Sequence, residues 1–441
     1  MFVVPVFSRK TVNFRLKAVL RTFKTSFMNI HSRRIFAVIL LFGALMSTKL
    51  LANNVEINET TTNGFVHPGI GLTKEILDNA RKQVRAKREP WLSSYNKLAS
   101  NPNARETIEI INQNQSDPSK PNLTQFNDRN IMKQLEYDAR RAYRQALMFY
   151  FTGEAAHRAN AMTIIRLWSQ VDPESFASFH SSHIHTPYAV KDLVMTTELM
   201  RYTDSPDEKF AWTEQDTANL TKNLLIPSIN TYMYSNGWFM NQNGYPLAGA
   251  MACFIFMNDR ENYEKRVEWF TVNRDAPNKG YSSSIQDLFR LVTIDASTRR
   301  KVKKPFVQHM EKGRDQAHAS GDLEIACNTA RMMYAQGTKV DPVRGTASTK
   351  SNAVGAYEFL DNRILAAADY FSRFMLGYRT PWTPSPSDMD SDGKVHQIYY
   401  RLSDNYRGRI RELQYWDLYY YYTHKKRVDL EEVAPYYLEA F

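Results

Sequence analysis

Two side chains in the sequence have the acid–base properties that proton transfer near neutral pH requires. His318 follows a charged turn and opens an apolar helical run, and Tyr370 lies inside a later helical run. A neutral imidazole, with an ordinary pKa of about 6.5, can accept a proton, whereas a phenol, with an ordinary pKa of about 10, can donate one. We therefore predict that His318 is a general base and Tyr370 a general acid.

Amide and guanidinium side chains meet a second requirement, the binding of a carboxylate. Asn243 and Arg363 are the leading candidates; Gln242 adjoins Asn243, and Arg314 lies one turn before His318. A group that neutralises a carboxylate makes the proton on the adjoining carbon more acidic, so that a base can remove it while the oxygen on the next carbon leaves. Such a set of residues is suited to β-elimination at a uronic acid, in which C5 loses a proton and O4 departs.

Each of these residues also has an ordinary structural interpretation. Asn243 can cap the N-terminus of a helix, and Arg314 can form an ion pair with Asp315 at the start of another. A tyrosine such as Tyr370 on an amphipathic helix commonly packs in the core, and a histidine such as His318 at a helix start is often structural. The residue types alone leave both interpretations open.

The elements that must position these residues are helical. Apolar residues recur at helical spacing from about residue 65 onward, strand-like alternation is hard to find, and short polar breaks separate the runs. One such run contains Leu135, Ala139, Ala142, Ala146 and Phe149. We predict an all-α fold with a single catalytic domain, an (α/α) toroid that forms an incomplete barrel of helical hairpins. The two cysteines, Cys253 and Cys327, lie in apolar helical runs and are predicted to be buried thiols rather than a disulfide.

Six segments of the sequence resemble the alginate-lyase-like (α/α) polysaccharide lyases, and they occur in the order found in that family. They are residues 67–73, 142–168, 241–245, 311–318, 361–377 and 406–409. The fourth segment is similar to the family's Glu-x-Gly-Arg-Asp-Gln-x-His signature and is the most specific of the six. The resemblance covers about residues 65–425.

The resemblance implies a polysaccharide lyase that cleaves an anionic polyuronate by β-elimination, with alginate or polymannuronate favoured and glucuronan next. It implies that the catalytic residues are His318, Tyr370, Asn243 and Arg363. In mannuronate and glucuronate the C5 proton and O4 lie on the same face, so one Tyr could transfer both protons; guluronate needs a His and a Tyr on opposite faces. The residues predicted to contact the substrate are Gln242, Arg314, Tyr245, His185 and Trp238.

Most of the positive charge belongs to a leader. The chain has 441 residues and a formal net charge of +11, and nine of its Lys and Arg residues lie in residues 1–52, which contain no acid. The rest carries about +2, which argues against nucleic acid as a partner. Residues 35–46 form an apolar run after Arg33 and Arg34 that is too short to span a bilayer comfortably, as in a secretory signal.

These observations divide the chain into three parts. Residues 1–52 are predicted to be a leader with a signal peptide, and a start at Met28 would give that signal an ordinary length. Residues 53–64 are predicted to be a short linker, and residues 65–441 the α/α-toroid lyase domain. We expect a periplasmic or secreted protein with no stable membrane insertion after signal removal; its oligomeric state is left open.

Two clusters have part of the pattern of a metal site. His180, His183 and His185 are closely spaced, but no Cys or suitably spaced carboxylate completes four zinc ligands. The turn that begins at Asp388 copies the first half of a calcium loop, but Tyr399 stands where a bidentate Glu is required. We therefore predict no metal and no cofactor, and we expect His185 to line the substrate site.

Two other functions fit the same features. An α/α-toroid glycoside hydrolase would need two carboxylates flanking the scissile bond, and Glu311, Asp315 and Asp369 are the nearest candidates. A non-catalytic polysaccharide-binding protein would bind the polymer and leave its length unchanged. The products formed from the polymer distinguish all three.

Overall fold

The structure, a computed structural model, describes residues 55–274, 282–389, 394–409 and 416–440. The predicted leader, residues 1–52, lies outside the described residues. Within the described ranges no helix is both long enough and apolar enough to cross a membrane. The described chain is mostly helical, with few and short strands, so the predicted all-α class is confirmed.

Fifteen α-helices and eight strands make up the described part of the chain. The helices are α1 (Lys74–Arg85), α2 (Trp91–Ala99), α3 (Arg129–Thr152), α4 (Ala155–Trp168), α5 (Ser182–Arg201), α6 (Glu214–Leu220), α7 (Ile226–Tyr232), α8 (Asn241–Met257), α9 (Arg260–Thr271), α10 (Ile285–Leu288), α11 (Gln316–Ala335), α12 (Phe359–Met375), α13 (Trp416–Tyr420), α14 (Leu430–Val433) and α15 (Pro435–Ala440). The strands form four separate antiparallel pairs: β1 (Thr60–Thr62) with β2 (Phe65–His67), β3 (Phe289–Ile294) with β4 (Lys301–His309), β5 (Lys339–Val340) with β6 (Val354–Gly355), and β7 (Ser385–Met389) with β8 (Val395–Tyr399).

The long helices pack against one another in chain order. Helix α3 packs on α5, α5 on α8, α8 on α11 and α11 on α12, while α4 and α9 pack on α3 and α8 respectively. This succession is what stacked helical hairpins produce. The contact between α5 and α8 is close, because a Cβ atom on Gly249 would lie only 2.7 Å from the Cβ atom of Pro187.

Local sequence signals set the ends of these helices. Asp128 caps α3 by accepting hydrogen bonds from the backbone N–H groups of Asn130 and Ile131, and Gly153 ends the same helix in the left-handed region at φ 73°. Asp315 caps α11 by accepting from the backbone N–H of His318. The helix that carries the histidine of the signature motif is therefore started by a residue of the same motif.

Two parts of the chain add to the sequence prediction. In residues 55–64 of the predicted linker, Val55 and Ile57 are buried, Ile57 pairs with Thr203, and β1 pairs with β2. The start of this described part therefore packs onto the helical domain, whereas residues 58–64 are exposed. The ribbon of β3 and β4 was not predicted, because the Lys-rich sequence of β4 lacks clear alternation of apolar and polar residues.

His67 connects this N-terminal segment to two helices. Its Nδ1 lies 3.1 Å from a carboxylate oxygen of Glu198 on α5, and its Nε2 lies 2.8 Å from the Oδ1 atom of Asn258, at the end of α8. Burial opposes a charge on the ring, but the hydrogen bond and charge of Glu198 and the hydrogen bond to Asn258 outweigh it, so the pKa of His67 is raised. The imidazolium form can donate to both partners.

Both cysteines are free and buried, as predicted. Cys253 lies on α8 and Cys327 on α11, and neither is more than 1% exposed. Burial raises the pKa of the Cys253 thiol to about 12 and that of the Cys327 thiol well above its ordinary value. Neither thiol is therefore a reactive nucleophile in the folded protein.

Candidate active site

A polar cleft with a cavity volume of about 630 Å³ is lined by residues of α2, α3, α5, α8 and α11. We call it the α11 cleft. Its lining includes five cationic side chains and three carboxylates, so its walls carry a surplus of positive charge that suits an anionic ligand. These charged residues are Lys97, Arg140, Arg144, Lys191 and Arg331, and Glu136, Asp192 and Glu324.

One face of α11 runs along this cleft. Glu324, Asn328 and Arg331 line it and follow one another at spacings of four and three residues. Gly321 lies seven residues before Asn328 and therefore on the same face, and His318 lies one turn before Gly321 and about 60° around the helix from it. From Gly321 to Arg331 this face is about 15 Å long, at about 1.5 Å per residue.

His318 is held at the start of that face by Asp315. The Nδ1 atom of His318 lies 2.6 Å from the Oδ2 atom of Asp315, whose Oδ1 atom accepts the backbone N–H of the same histidine. The side chain of His318 is 38% exposed. Because its Nδ1 is bound to the carboxylate, the Nε2 atom is the ring nitrogen left to act on a ligand.

Tyr245, on α8, faces α11 across the cleft. Its hydroxyl oxygen lies 3.2 Å from the position that a Cβ atom on Gly321 would occupy, one turn beyond His318. Burial, together with the charge of Glu324, raises the pKa of Tyr245 far above its ordinary value, so its hydroxyl is protonated. That hydroxyl makes no hydrogen bond to any described residue.

Tyr188 and Glu324 form a second polar pair in the cleft. The Tyr188 hydroxyl donates to the Oε1 atom of Glu324 over 2.6 Å, and the Tyr188 ring packs edge-on against Tyr245, with ring centres 5.8 Å apart. The ammonium group of Lys191 lies 4.6 Å from the centre of the Tyr188 ring. Burial raises the pKa of the Glu324 carboxyl and outweighs the opposing hydrogen bond from Tyr188.

Three of the other predicted contact residues lie near the N-terminal ends of α5 and α8. His185 lines the cleft, and burial lowers its pKa. Trp238 stacks on His183 with ring centres 4.0 Å apart, and the Nε2 atom of His183 lies 3.0 Å from the Oε1 atom of Gln242. His183 therefore holds Trp238 and Gln242 together, beside the turn that starts α8.

Asn243 lies inside the protein at the start of α8. It is 1% exposed, and its Nδ2 donates to the carbonyl of Ser283 over 3.1 Å. Its Oδ1 atom is buried and has no hydrogen-bond partner among the described residues. Asn243 is therefore close in sequence to Tyr245 but does not line the cleft as the structure stands.

Arg363 and Tyr370, both on α12, are not brought to the cleft. Arg363 donates from Nη1 to the carbonyl of Phe289 on β3 over 2.9 Å, and burial lowers its pKa. The Tyr370 hydroxyl donates to the carbonyl of Pro381 over 2.6 Å, and burial raises its pKa. Both polar groups serve contacts within the fold, and neither residue lines the α11 cleft.

The remaining predicted candidates also have structural partners. Arg314 donates from Nη1 to Glu311 over 2.9 Å, and Glu311 is buried. Asp369 accepts hydrogen bonds from the backbone N–H groups of Tyr436 and Tyr437. The third carboxylate proposed for a hydrolase, Asp315, contacts His318.

The described residues contain no group of three or more His, Cys, Asp or Glu side chains that could hold a metal ion. His180, His183 and His185 therefore do not converge on one point, and burial lowers the pKa of His183. The centre of the turn that follows Asp388, residues 390–393, lies outside the described residues.

The chain matches no known protein family, and no curated protein matches it in sequence. The resemblance to alginate-lyase-like enzymes thus rests on short motifs and stays a prediction.

Several residues of the cleft were missed by sequence reasoning. Tyr188 and Lys191 lie three residues apart on α5, and Glu324 and Arg331 lie seven apart on α11, so each pair occupies one helical face. Both helices are otherwise largely buried. Polar residues that recur along one face of a largely buried helix were the signal that could have identified these residues.

Proposed function

We propose that the protein is an exported polysaccharide lyase that cleaves an anionic polyuronate by β-elimination, with alginate or polymannuronate the favoured substrate and glucuronan the next. For its stack of helical hairpins we propose an (α/α)-toroid arrangement. One observation supports the functional proposal. Tyr245 lines a cleft with surplus positive charge, and its hydroxyl, which has no hydrogen-bond partner among the described residues, lies beside Gly321, one helical turn from His318. The imidazole of His318 is held by Asp315. An acid, a base and an anion-binding wall are the three requirements of this reaction.

His318 is the proton acceptor in this proposal. Asp315 accepts the Nδ1 proton and fixes the orientation of the ring, as an orienting carboxylate does for other catalytic histidines. The free Nε2 then takes the C5 proton of the uronate. The side chain is 38% exposed, so a polymer bound beside Tyr245 can reach it.

Tyr245 takes the role of proton donor that the sequence suggested for Tyr370. The raised pKa of Tyr245 keeps its hydroxyl protonated, which suits donation to the departing O4. The Tyr370 hydroxyl is already donated to the carbonyl of Pro381 inside the fold. Tyr245 was predicted from the sequence to contact the substrate. The proposal keeps Tyr245 in the substrate site and makes it the proton donor.

The uronate carboxylate requires a cation, and Arg144 meets this need. It lines the cleft, and its guanidinium is paired with no carboxylate among the described residues. Burial and the nearby Arg140 lower its pKa. A bound carboxylate would offset both by stabilising the charged guanidinium. Neutralising the carboxylate stabilises the carbanion that develops at C5.

The test is product analysis on purified polymannuronate, polyguluronate and glucuronan. We expect at least one polymer to yield unsaturated products, seen as a rise in ultraviolet absorbance. His318→Ala should lower kcat by two to four orders of magnitude, the range for losing an acid–base group. Lys265→Ala, at an exposed residue of α9 that does not line the cleft, is the control and should retain activity. A complete absence of absorbance change with every polymer would refute the lyase proposal.

Glycoside hydrolysis is the second candidate, because Glu324 has the raised pKa of a general acid and lines the cleft together with Asp192. New reducing ends without the ultraviolet signal would support this function over the lyase. Glu324→Gln would then abolish product formation, since the amide cannot donate the proton that the leaving oxygen needs.

A further inference from the structure

A second cavity adjoins the α11 cleft at the C-terminal part of α11. Its volume is about 130 Å³, and Ser94, Asn328 and Arg331 line both it and the cleft. We call it the aromatic pocket, because rings dominate its walls. These rings are Trp91, Tyr334, Tyr357, Trp416, Tyr420 and Tyr421.

Two tryptophans form the largest apolar surface of this pocket. Trp91 opens α2 and Trp416 opens α13, and their rings meet edge-on with centres 5.4 Å apart. Trp416 also stacks on Tyr419 and Tyr420, with ring centres 5.4 Å and 6.5 Å apart. Both tryptophans are half-buried, so each keeps part of its ring surface accessible. Rings of this kind bind flat apolar faces, and the C–H face of a sugar is one.

Arg331 supplies the polar side of the pocket. Its Nη2 donates to the Oδ1 atom of Asn328 over 2.9 Å, and its Nη1 lies 3.3 Å from Asp417. These partners hold the guanidinium in place, yet the side chain is still 23% exposed. A positioned guanidinium can donate further hydrogen bonds to hydroxyl or carboxylate groups.

Ser94, Asn328 and Arg331 join the aromatic pocket to the α11 cleft, which Tyr245 also lines beside Gly321. From Gly321 to Arg331 the helix rises by about 15 Å, at about 1.5 Å per residue. This is the length of a few linked sugar rings. One polymer can therefore contact Tyr245 and the aromatic pocket at once.

We propose that the aromatic pocket is a distal subsite that binds a sugar residue of the polymer whose scissile bond lies near His318. The proposal rests on the proposed function, because the occupant is the same polyuronate. It adds that Trp91 and Trp416 stack on this distal sugar and that Arg331 binds its polar edge. The enzyme then prefers chains long enough to reach from one end of the α11 face to the other.

Length-dependent binding tests the subsite. Trp91→Leu and Trp416→Leu remove the stacking surfaces and keep apolar volume. Trp212→Leu is the matched control, because Trp212 bonds to Thr217 and lines neither cavity. Affinities for a uronate disaccharide and hexasaccharide are measured by calorimetry in a His318→Ala background, so that turnover does not consume the ligand. Thermal unfolding of each variant confirms that it is folded.

We expect both subsite variants to bind the hexasaccharide about tenfold more weakly and the disaccharide unchanged, since one stacked ring contributes on that scale. Trp212→Leu should change neither affinity. Equal losses for both lengths, no loss, or no binding of either oligosaccharide by the parent would overturn the subsite. If the length effect is present but no polymer yields unsaturated products, the subsite stands and the lyase proposal fails.

Discussion

At the scale of single residues, Tyr245 and Tyr370 show that the sequence predicts which helix carries a tyrosine but not whether its hydroxyl reaches the cleft. Tyr245 and Tyr370 both lie on helices with apolar surroundings, so periodicity alone does not tell which of them reaches a cleft. The structure shows that the Tyr370 hydroxyl is committed to the carbonyl of Pro381, whereas that of Tyr245 lies over Gly321. Their phenylalanine variants should therefore behave in opposite ways.

Tyr245→Phe should lower kcat by two to four orders of magnitude with little effect on stability, because it deletes only a transferable proton. Tyr370→Phe should leave kcat nearly unchanged and lower the free energy of unfolding by about 1–3 kcal/mol, because a buried carbonyl loses its donor. Product absorbance gives the first quantity and urea unfolding the second. A fall in kcat for Tyr370→Phe alone would return the donor role to Tyr370.

At the scale of elements, the glycine in the middle of α11 shows how a helix can be shaped for a site. Gly321 lies within a regular helix, where glycine costs about 1 kcal/mol relative to alanine. The Tyr245 hydroxyl lies 3.2 Å from the position that a Cβ atom there would occupy. The glycine therefore costs helical stability and lets the phenol approach α11 closely, one turn from His318.

Gly321→Ala should accordingly separate stability from activity. We expect the free energy of unfolding to stay level or rise by up to about 1 kcal/mol, since helix propensity improves. We expect kcat to fall severalfold, because a methyl group 3.2 Å from the hydroxyl oxygen makes the phenol move by a few tenths of an ångström. Thermal unfolding and initial rates measure the two effects. Unchanged kcat would show that the position of the phenol does not matter to the reaction.

The helices were more predictable than the contacts between them. Asp128, Asp315 and Gly153 are ordinary capping residues, and the apolar spacing of α3, α8 and α11 can be read directly from the sequence. In contrast, Arg363 donates a hydrogen bond to Phe289, which is 74 positions away in the sequence. No local sequence pattern encodes that hydrogen bond. Local signals thus determine where helices begin and end, whereas tertiary packing determines which of their polar residues share a cleft.

At the scale of the whole molecule, His67 links distant parts of the chain and makes stability depend on pH. Its partners, Glu198 and Asn258, lie 131 and 191 residues away. Because its pKa is raised in the folded state, its contribution is fully present below the ordinary histidine pKa of about 6.5 and is lost as the pH rises through the folded-state pKa.

We therefore expect the free energy of unfolding to decline as the pH rises above about 6.5, as measured by urea unfolding at closely spaced pH values. His67→Gln should be less stable at low pH and should show a smaller decline. The lowered pKa values of His183, His185 and His309 reduce stability only as the pH falls, whereas the raised pKa of the buried Asp322 carboxyl adds to a decline at higher pH in both proteins. The difference between the two profiles therefore measures the contribution of His67. A decline of the same size in His67→Gln would assign it to other groups.

The two buried thiols, Cys253 and Cys327, can report transient local unfolding of the helices that carry them. A thiol-specific reagent in solution cannot reach Cys253 or Cys327 while α8 and α11 stay packed, and a thiol of raised pKa reacts slowly even if it is reached. Labelling must therefore wait for a transient opening that exposes the buried side of α8 or of α11. The labelling rate, followed by mass as a function of time, reports openings of the two helices that carry Tyr245 and His318, with no engineered probe. Saturating oligosaccharide should slow labelling, because a ligand that binds the folded protein stabilises it against such openings.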